Sequence, residues 1–194
     1  MTTAQDLLRT LAILYPTARF MISRYRPQSG AARRAIAAGA DPAPLLLDVA
    51  LAGEFHFVGA EHLSEIVTRF QCREDEVLAL CSRVATDQHG GHLLLLDFAV
   101  PPSNEAQAEI ERMIGHCDWR GWLLMSGASY HFIGSELFHT TDWRRQMARA
   151  LLIPGIDHRC SAHALWNGFG GIRVTTCPMK PTLPYVVAEF GVPR

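Results

Sequence analysis

Two aspartates and a histidine occupy the positions in this chain that best suit chemistry. Asp97 ends an apolar run that contains four successive leucines. His131 lies in an alternating segment, two residues after Ser129, and such a strand residue projects from a sheet at a defined height. Asp157 precedes a polar stretch. Each has a plain structural alternative, since Asp97 can cap a turn and His131 can be a half-buried histidine bonded to a neighbour.

A hydrolase would be a different use of the same histidine. His131 would then act with Ser126 or Ser129 as the nucleophile. The sequence shows no G-x-S-x-G elbow and no recognisable acid behind the imidazole, so this alternative has little support.

A zinc site is a further alternative, because possible ligands are dense after residue 156. Asp157, His158, Cys160 and His163 lie close in sequence, and the last two would be one helical turn apart. No second ligand pair follows at finger-like spacing, which favours structural roles for Cys160 and the histidines.

The composition is that of a globular chain. Of 194 residues, 48% are hydrophobic and 19% are charged, and the net charge of −1 excludes a general attraction for nucleic acid. No apolar run reaches the roughly 18 residues of a membrane span. The N-terminus lacks a signal peptide pattern, so we expect a cytoplasmic protein. Five cysteines without a C-x-x-C pair suit reduced thiols.

A local basic concentration near the N-terminus is the exception to this neutrality. It is either a solvated face or a patch that contacts the phosphates of a nucleic acid. Its members are Arg19, Arg24, Arg26, Arg33 and Arg34.

Helices and strands are interleaved along the chain. Predicted helices cover residues 4–14, 60–72, 74–85, 105–117, 143–152 and 162–167, with a helix and loop within 30–44. Predicted strands cover residues 20–25, 54–58, 92–100, 121–125, 129–133, 172–176 and 185–190. Asp142 is the expected cap of the helix at 143–152. This pattern predicts an α+β (or α/β) fold with a central mixed or antiparallel sheet flanked by helices.

Three motifs in this order resemble the catalytic core of the archaeo-eukaryotic primase superfamily, the primase-polymerases. That family has an apolar strand ending in D-x-D, an S-x-H strand and an apolar-Asp pair. Here they correspond to 93–97, Ser129-Tyr130-His131 and Ile156-Asp157. Over roughly residues 90–185 the chain is most similar to small single-domain bacterial members described as primase 1D-like. The resemblance implies an RRM-like core within one domain, residues 1–194, with an N-terminal α/β part (1–90) and a motif-bearing core (91–190).

The resemblance also implies a set of site residues. Asp97, His131 and Asp157 would be catalytic, with the two aspartates holding Mg²⁺ or Mn²⁺. His131 and Ser129 would contact the phosphates of a nucleoside triphosphate. Three cations would neutralise those phosphates, although Arg173 could equally belong to a surface ion pair. They are Arg159, Arg173 and Lys180, with Arg173 favoured because it is fixed on a strand.

The chain departs from the family where the second aspartate of D-x-D is expected, because Ala99 stands there and cannot bind a metal. Asp97 and Asp157 could still hold one Mg²⁺. We therefore expect a nucleotidyltransferase domain that binds a nucleoside triphosphate and primes or extends nucleic acid. The alternatives are a degenerate nucleotide or nucleic-acid binding module that acts with a partner protein, a site rearranged around Glu54 or Glu136, or a deliberately inactivated variant.

Overall fold

The computed structural model describes residues 1–25, 37–41, 55–70, 76–87 and 90–192. The helices in these ranges are α1 (Ala4–Leu14), α2 (Ala60–Arg69), α3 (Asn104–His116), α4 (Thr140–Ala150) and α5 (His158–Asn167). The strands are β1 (Arg19–Tyr25), β2 (Phe55–Gly59), β3 (Val77–Ala85), β4 (Gly91–Phe98), β5 (Gly121–Met125), β6 (Tyr130–Phe138), β7 (Gly171–Arg173) and β8 (Tyr185–Phe190). None of the helices in the described ranges is long and apolar enough to cross a membrane.

The strands form one antiparallel sheet in the order β2-β1-β3-β4-β6-β5-β8, and β7 pairs with β3. β1 pairs with β3 along its whole length. The other edge of β3 is shared, since Arg83 and Val84 pair with β4 while 79–81 pair with β7. The sheet therefore forks between β3 and β4, and β7 lies within the fork. The α+β prediction is confirmed, and of its two sheet options the antiparallel one is found.

The four leucines of β4 pack alternately against the helices on the two faces of the sheet. Leu93 and Leu95 belong to the core that contains the buried faces of α1 and α2. Leu94 and Leu96 belong to the opposite core, where Trp143 of α4 is fully buried. Both faces of β4 are covered, so the strand is central, as its continuous apolar run predicts.

The predicted helix at 74–85 is wrong, because residues 77–85 form β3, while 74 and 75 lie outside the described residues. Its burial is nearly continuous, and even Ser82 is buried. The Ser82 hydroxyl is satisfied by the N–H of Gly170 (3.1 Å) and lies 3.3 Å from Nδ1 of His92. A strand that is buried on both faces does not alternate apolar and polar residues. The spacing of the apolar residues in this stretch therefore also fits the buried face of a helix.

The predicted cap at Asp142 is also wrong. α4 begins at Thr140 directly after β6, and its N-cap is His139, whose side chain makes no capping hydrogen bond. Asp142 lies in the first turn and pairs with Arg145 at 2.9 Å. An acidic residue is favourable anywhere in the first turn, so its presence does not fix where a helix begins.

The other predicted elements within the described residues are confirmed, with shifts at their ends. The helix predicted at 162–167 begins earlier, at His158, and the strand predicted at 172–176 shortens to Gly171–Arg173. The helix and loop predicted within 30–44 lie mostly outside the described residues.

Gly121 allows the closest approach of β5 to β6. It pairs with Gly134 and has φ +151°. A Cβ at Gly121 would lie 2.8 Å from Cα of Gly134 and would collide with the carbonyl oxygen of Ile133. These are backbone atoms of β6, and moving them to make room for a Cβ would cost a large free energy.

We expect Gly121→Ala to lower the free energy of unfolding by about 3 kcal/mol, because strain and collision act together. Gly115→Ala in α3 is the matched control, since a Cβ there meets nothing within 4 Å. The control should be neutral or stabilising by up to about 1 kcal/mol. Urea denaturation of both variants tests this, and equal stabilities would contradict the strand geometry.

Candidate functional site

Asp97 and His131 are directly opposite each other on β4 and β6. Cross-strand neighbours place their side chains on the same face of a sheet. Nε2 of His131 lies 3.6 Å from Oδ1 of Asp97. The histidine side chain is 9% exposed and the aspartate side chain 30%, so solvent reaches the carboxylate more readily than the ring.

Asp157 joins this pair through the backbone. Its N–H donates to the carbonyl of Asp97 (2.8 Å), and the N–H of Ala99 donates to the carbonyl of Gly155 (2.7 Å). The start of α5 is thereby fixed against the end of β4. The structure brings together the three residues Asp97, His131 and Asp157.

The carboxylate of Asp157 has a local role as well. Its Oδ1 accepts hydrogen bonds from the N–H groups of Arg159 (3.0 Å) and Cys160 (3.1 Å). It is thus the N-cap of α5. One of the two oxygens is committed to the helix, which orients the other.

Burial keeps the His131 ring neutral. The pKa of His131 is lowered to about 3, first by burial and then by the charges of Arg173 and Lys180. Because the ring is neutral, His131 does not form an ion pair with Asp97 at neutral pH. The separation of 3.6 Å is also too long for a hydrogen bond. Nδ1 is buried and has no hydrogen-bond partner among the described residues. An unsatisfied buried polar atom of this kind calls for an explanation, and a bound ligand or ion is one.

Arg173 is buried, with 4% of its surface exposed. Its guanidinium donates to the carbonyls of Thr175 (2.6 Å), Thr182 (2.8 Å) and Ser126 (2.8 Å). Burial lowers its pKa, while Tyr25 and other groups oppose that effect. The side chain therefore braces the chain at three points.

The turn between β5 and β6 is closed by two serines. Oγ of Ser126 lies 3.1 Å from Oγ of Ser129 and donates to its carbonyl at 3.0 Å. Gly127 allows the turn with φ +103°. Within the described chain neither serine is bonded to His131, so the geometry gives no support to a serine hydrolase.

Two of the predicted phosphate-binding cations remain near the site and partly accessible. Lys180 is exposed and closes a turn with Cys177 through N–H to carbonyl bonds of 2.8 and 3.1 Å. Its charge acts on His131. Arg159 lies in the first turn of α5 and is partly buried.

Sequence reasoning missed Tyr25. The pKa of Tyr25 is raised by burial, and Asp97, Arg173, Cys160 and Cys177 all act on it electrostatically. Tyr25 ends β1, far from the motifs in sequence. No local pattern distinguishes it, since only the pairing of β1 with β3 brings it to the fork.

One of the two alternative carboxylates, Glu136, does not join the site. Glu136 lies five positions along β6 from His131, about 16 Å away at strand spacing. It pairs with Arg120 at 3.5 Å. Glu54 lies outside the described residues, as do Arg26, Arg33 and Arg34 of the basic concentration.

The donor set fits at most one hard cation. Asp97 and Asp157 supply two carboxylates on adjacent backbones, whereas Ala99 supplies none. In the described part of the chain no group of three His, Cys, Asp or Glu side chains is arranged to hold a metal. A Mg²⁺ here would therefore complete its shell with water and substrate phosphates.

Zinc is poorly matched to the same region. Burial, with Asp97 and Asp157 nearby, raises the pKa of Cys160 far above that of a free thiol. Zinc binds the thiolate, so a thiol that resists deprotonation is a weak ligand.

Comparison with known proteins agrees with this architecture. A family model described as "AEP-like: Archaeo-eukaryotic primase 1D-like" matches residues 60–184. The fold is similar to a structure titled "Crystal structure of the catalytic domain of primase Repb' in complex with initiator DNA", with a TM-score of 0.59 and 10% identity. That alignment covers 98% of this chain and 87% of the other. No curated protein matches the chain.

Replacing Arg173 distinguishes a brace from a surface phosphate ligand. Arg173→Met should lower the free energy of unfolding by about 3 kcal/mol or more, because two buried carbonyls and one partly buried carbonyl would lose their donor. Arg145→Met, which removes an exposed cation, should cost less than about 1 kcal/mol. Denaturant titration measures both. An Arg173→Met protein as stable as the wild type would show that the guanidinium is not a structural brace.

The buried histidines predict a pH dependence of stability. The pKa of His131 is lowered to about 3 and that of His92 to about 4. In the unfolded chain these histidines take up protons near pH 6.5. Their contribution to the free energy of unfolding is therefore fully present above pH 6.5 and is lost as the pH is lowered toward 3. From pH 7 to pH 5 each histidine should cost about 2 kcal/mol.

His131→Gln should remove about half of that pH dependence, because its side chain does not titrate. Denaturant titrations of both proteins at pH 7 and pH 5 measure it. A variant with the full wild-type slope would show that His131 does not remain neutral in the folded protein.

Proposed function

Because the chain belongs to the archaeo-eukaryotic primase 1D-like family, we propose that it binds a nucleoside triphosphate together with one Mg²⁺ or Mn²⁺. The observation that carries the proposal is the convergence of Asp97, His131 and Asp157 where β4, β6 and α5 meet. These residues come from three separate motifs. A shared position at the fork of the sheet is what a common ligand requires.

The two carboxylates are the proposed cation ligands. Asp97 offers a partly exposed carboxylate, and Asp157 offers a carboxylate that is fixed at the N-terminus of α5. Mg²⁺ commonly needs only one or two protein carboxylates when phosphates supply further ligands. Such a cation neutralises phosphate charge and fixes the triphosphate in place.

The remaining residues would bind the nucleotide itself. Lys180 and Arg159 are proposed to contact phosphates, with Ser129 at the adjoining turn. His131 is neutral, and a proton on Nε2 is favoured by the nearby Asp97 carboxylate. Its buried Nδ1 is then an acceptor, which suits a hydroxyl group of the nucleotide sugar better than a phosphate oxygen. Arg173 would act indirectly, by holding the turn that precedes β6.

We extend the proposal to nucleic acid. The primase whose catalytic domain shares this fold was solved with initiator DNA, according to its title. This chain would likewise contact a nucleic-acid strand in the cytoplasm, with priming or extension as its proposed activity. A partner protein could supply functions that the domain lacks.

A second candidate is a binding module without efficient nucleotidyl transfer. Ala99 favours it, because two-metal transfer depends on both cations being held. The bonds of Arg173 to three carbonyls favour it too, since that cation is unavailable to a phosphate. The two candidates share nucleotide binding and differ in strand extension.

Primer extension by the wild-type protein separates them, and restoring the missing carboxylate tests whether Ala99 limits the transfer. Ala99 is exposed, so an aspartate fits there without repacking. We expect Ala99→Asp to strengthen Mg²⁺-dependent binding of a nucleoside triphosphate by about 10-fold, or ~1.4 kcal/mol, and to raise primer extension above the wild-type level. Titration calorimetry and a primer-extension assay measure the two effects.

The controls fix the interpretation. Ala99→Asn has a side chain of nearly the same size without the charge, and it should behave like the wild type. Asp97→Asn should abolish the Mg²⁺ dependence of binding. If the wild-type protein and Ala99→Asp both fail to bind a triphosphate with Mg²⁺, the proposed nucleotide site is wrong.

A further inference from the structure

Phenylalanines are exposed on the edge strand β2. Phe55 and Phe57 are 42% and 41% exposed, and both point to the same face because they are two residues apart. Phe169, which follows α5, meets Phe55 edge to face with ring centroids 5.2 Å apart. The three rings form a partly open aromatic surface.

Arginines lie directly against these rings. The guanidinium carbon of Arg19 is 6.0 Å from the ring centroid of Phe57, and that of Arg83 is 5.4 Å from the centroid of Phe169. We call Arg19, Phe55, Phe57, Arg83 and Phe169 the aromatic–basic face. An exposed apolar patch interleaved with cations suits an anionic ligand that also presents flat apolar groups.

A pocket of about 270 Å³ continues this face. Phe57 and Arg83 line it together with Arg144, Thr140 and His92. Arg83 and Arg144 are exposed, and neither forms an ion pair with a carboxylate in the described chain. Burial lowers the pKa of His92, and both arginines lower it further, so their positive charge reaches into the pocket. The pocket is therefore suited to a phosphate group.

We propose that the aromatic–basic face and its pocket bind single-stranded nucleic acid, with bases stacked on Phe55 and Phe57 and phosphates held by Arg19, Arg83 and Arg144. Stacking on aromatic side chains beside a cationic groove is how proteins bind single strands without sequence preference. The inference rests on the nucleic-acid part of the proposed function and identifies the surface that would carry it.

The face and Asp97 lie at opposite ends of β4. Arg83 pairs with His92 at the start of the strand, whereas Asp97 is near its end. Five residues of strand span about 16 Å. Residues an odd number apart in a strand point to opposite faces of a sheet, so Asp97 lies on the face opposite to Arg83 and His92. A strand held by the aromatic–basic face would therefore reach a nucleotide beside Asp97 only by passing from one face of the sheet to the other.

A single strand fits this surface better than a duplex or a second protein. Bases in a duplex are already stacked on each other and cannot lie on Phe57. A protein partner for three phenylalanines would have to place acidic side chains beside three separate arginines. An unpaired polynucleotide supplies both phosphates for the arginines and bases that can stack on the phenylalanine rings.

The test is fluorescence anisotropy with labelled dT12 and U12, without nucleotide or Mg²⁺, at 50 mM salt. Phe57→Leu keeps apolar volume but removes the ring, and it should weaken binding by about 5-fold to 150-fold. Phe57→Tyr keeps the ring and should bind within about 3-fold of the wild type. Arg83→Gln should weaken binding and lower the salt slope by about 0.7.

Two controls lie elsewhere on the surface. Leu152→Ala removes an apolar side chain that is 84% exposed, and Arg112→Gln removes an exposed cation of α3. Both should bind like the wild type. Thermal unfolding checks that all variants are folded, and sedimentation checks their oligomeric state.

Several results would overturn the inference. If the wild type binds single strands and Phe57→Leu binds equally well, the face is not the binding surface although the proposed function stands. Equal affinity for a labelled duplex would exclude base stacking. Loss of a dimer in Phe57→Leu, with no loss of dT12 affinity, would make the face a contact between copies. If the wild type binds neither dT12 nor U12, the nucleic-acid part of the proposed function fails as well, while triphosphate binding at the fork is tested separately by calorimetry.

Discussion

One buried guanidinium holds together the region where the sheet divides. Arg173 donates to the carbonyls of Ser126, Thr175 and Thr182, which belong to the turn before β6 and to the chain after β7. A buried cation is stable only when its donors are matched, so these three segments cannot move independently. The position of His131, five residues after Ser126, depends on this brace. The fork is therefore a rigid feature into which the site is built, and the chemistry of the site is constrained by it.

The sequence predicts the central part of the fold well and the strand beside it poorly, for the same physical reason. Four successive leucines at 93–96 are long enough, and well enough bounded by turns, to indicate a strand buried on both faces. β3 is buried on both faces too, but its apolar residues are interrupted by Ser82 and Arg83 at spacings that also suit a helix. What decides the matter is pairing with β1, β4 and β7. Such long-range hydrogen bonds leave no local signal in the sequence.

Some features of the candidate site could likewise be predicted from the sequence, whereas others could not. The adjacency of Asp97 and His131 follows from two strand motifs that pair in an antiparallel sheet, and the proximity of Asp157 follows from the third motif. The commitment of Arg173 to backbone carbonyls could not be predicted, because a strand arginine looks the same in sequence whether it faces a ligand or a loop. Tyr25 was missed since its place at the fork depends on the β1–β3 register. Residue type and order predict candidates, whereas hydrogen-bond partners fix their roles.

At Ala99 the proposed site lacks both the metal ligand and the negative charge that the second aspartate of a D-x-D motif would supply, and these two losses would have different consequences. Catalysis by two cations depends on each ligand, so a single missing carboxylate is costly. Binding of an anion depends on the summed field of several residues, and removing one carboxylate beside Lys180 and Arg159 makes that field more favourable. A fold of this kind can therefore retain nucleotide affinity when its capacity for transfer has declined. The neutral His131 fits the same balance, because a ring that stays unprotonated offers a hydrogen bond without adding charge.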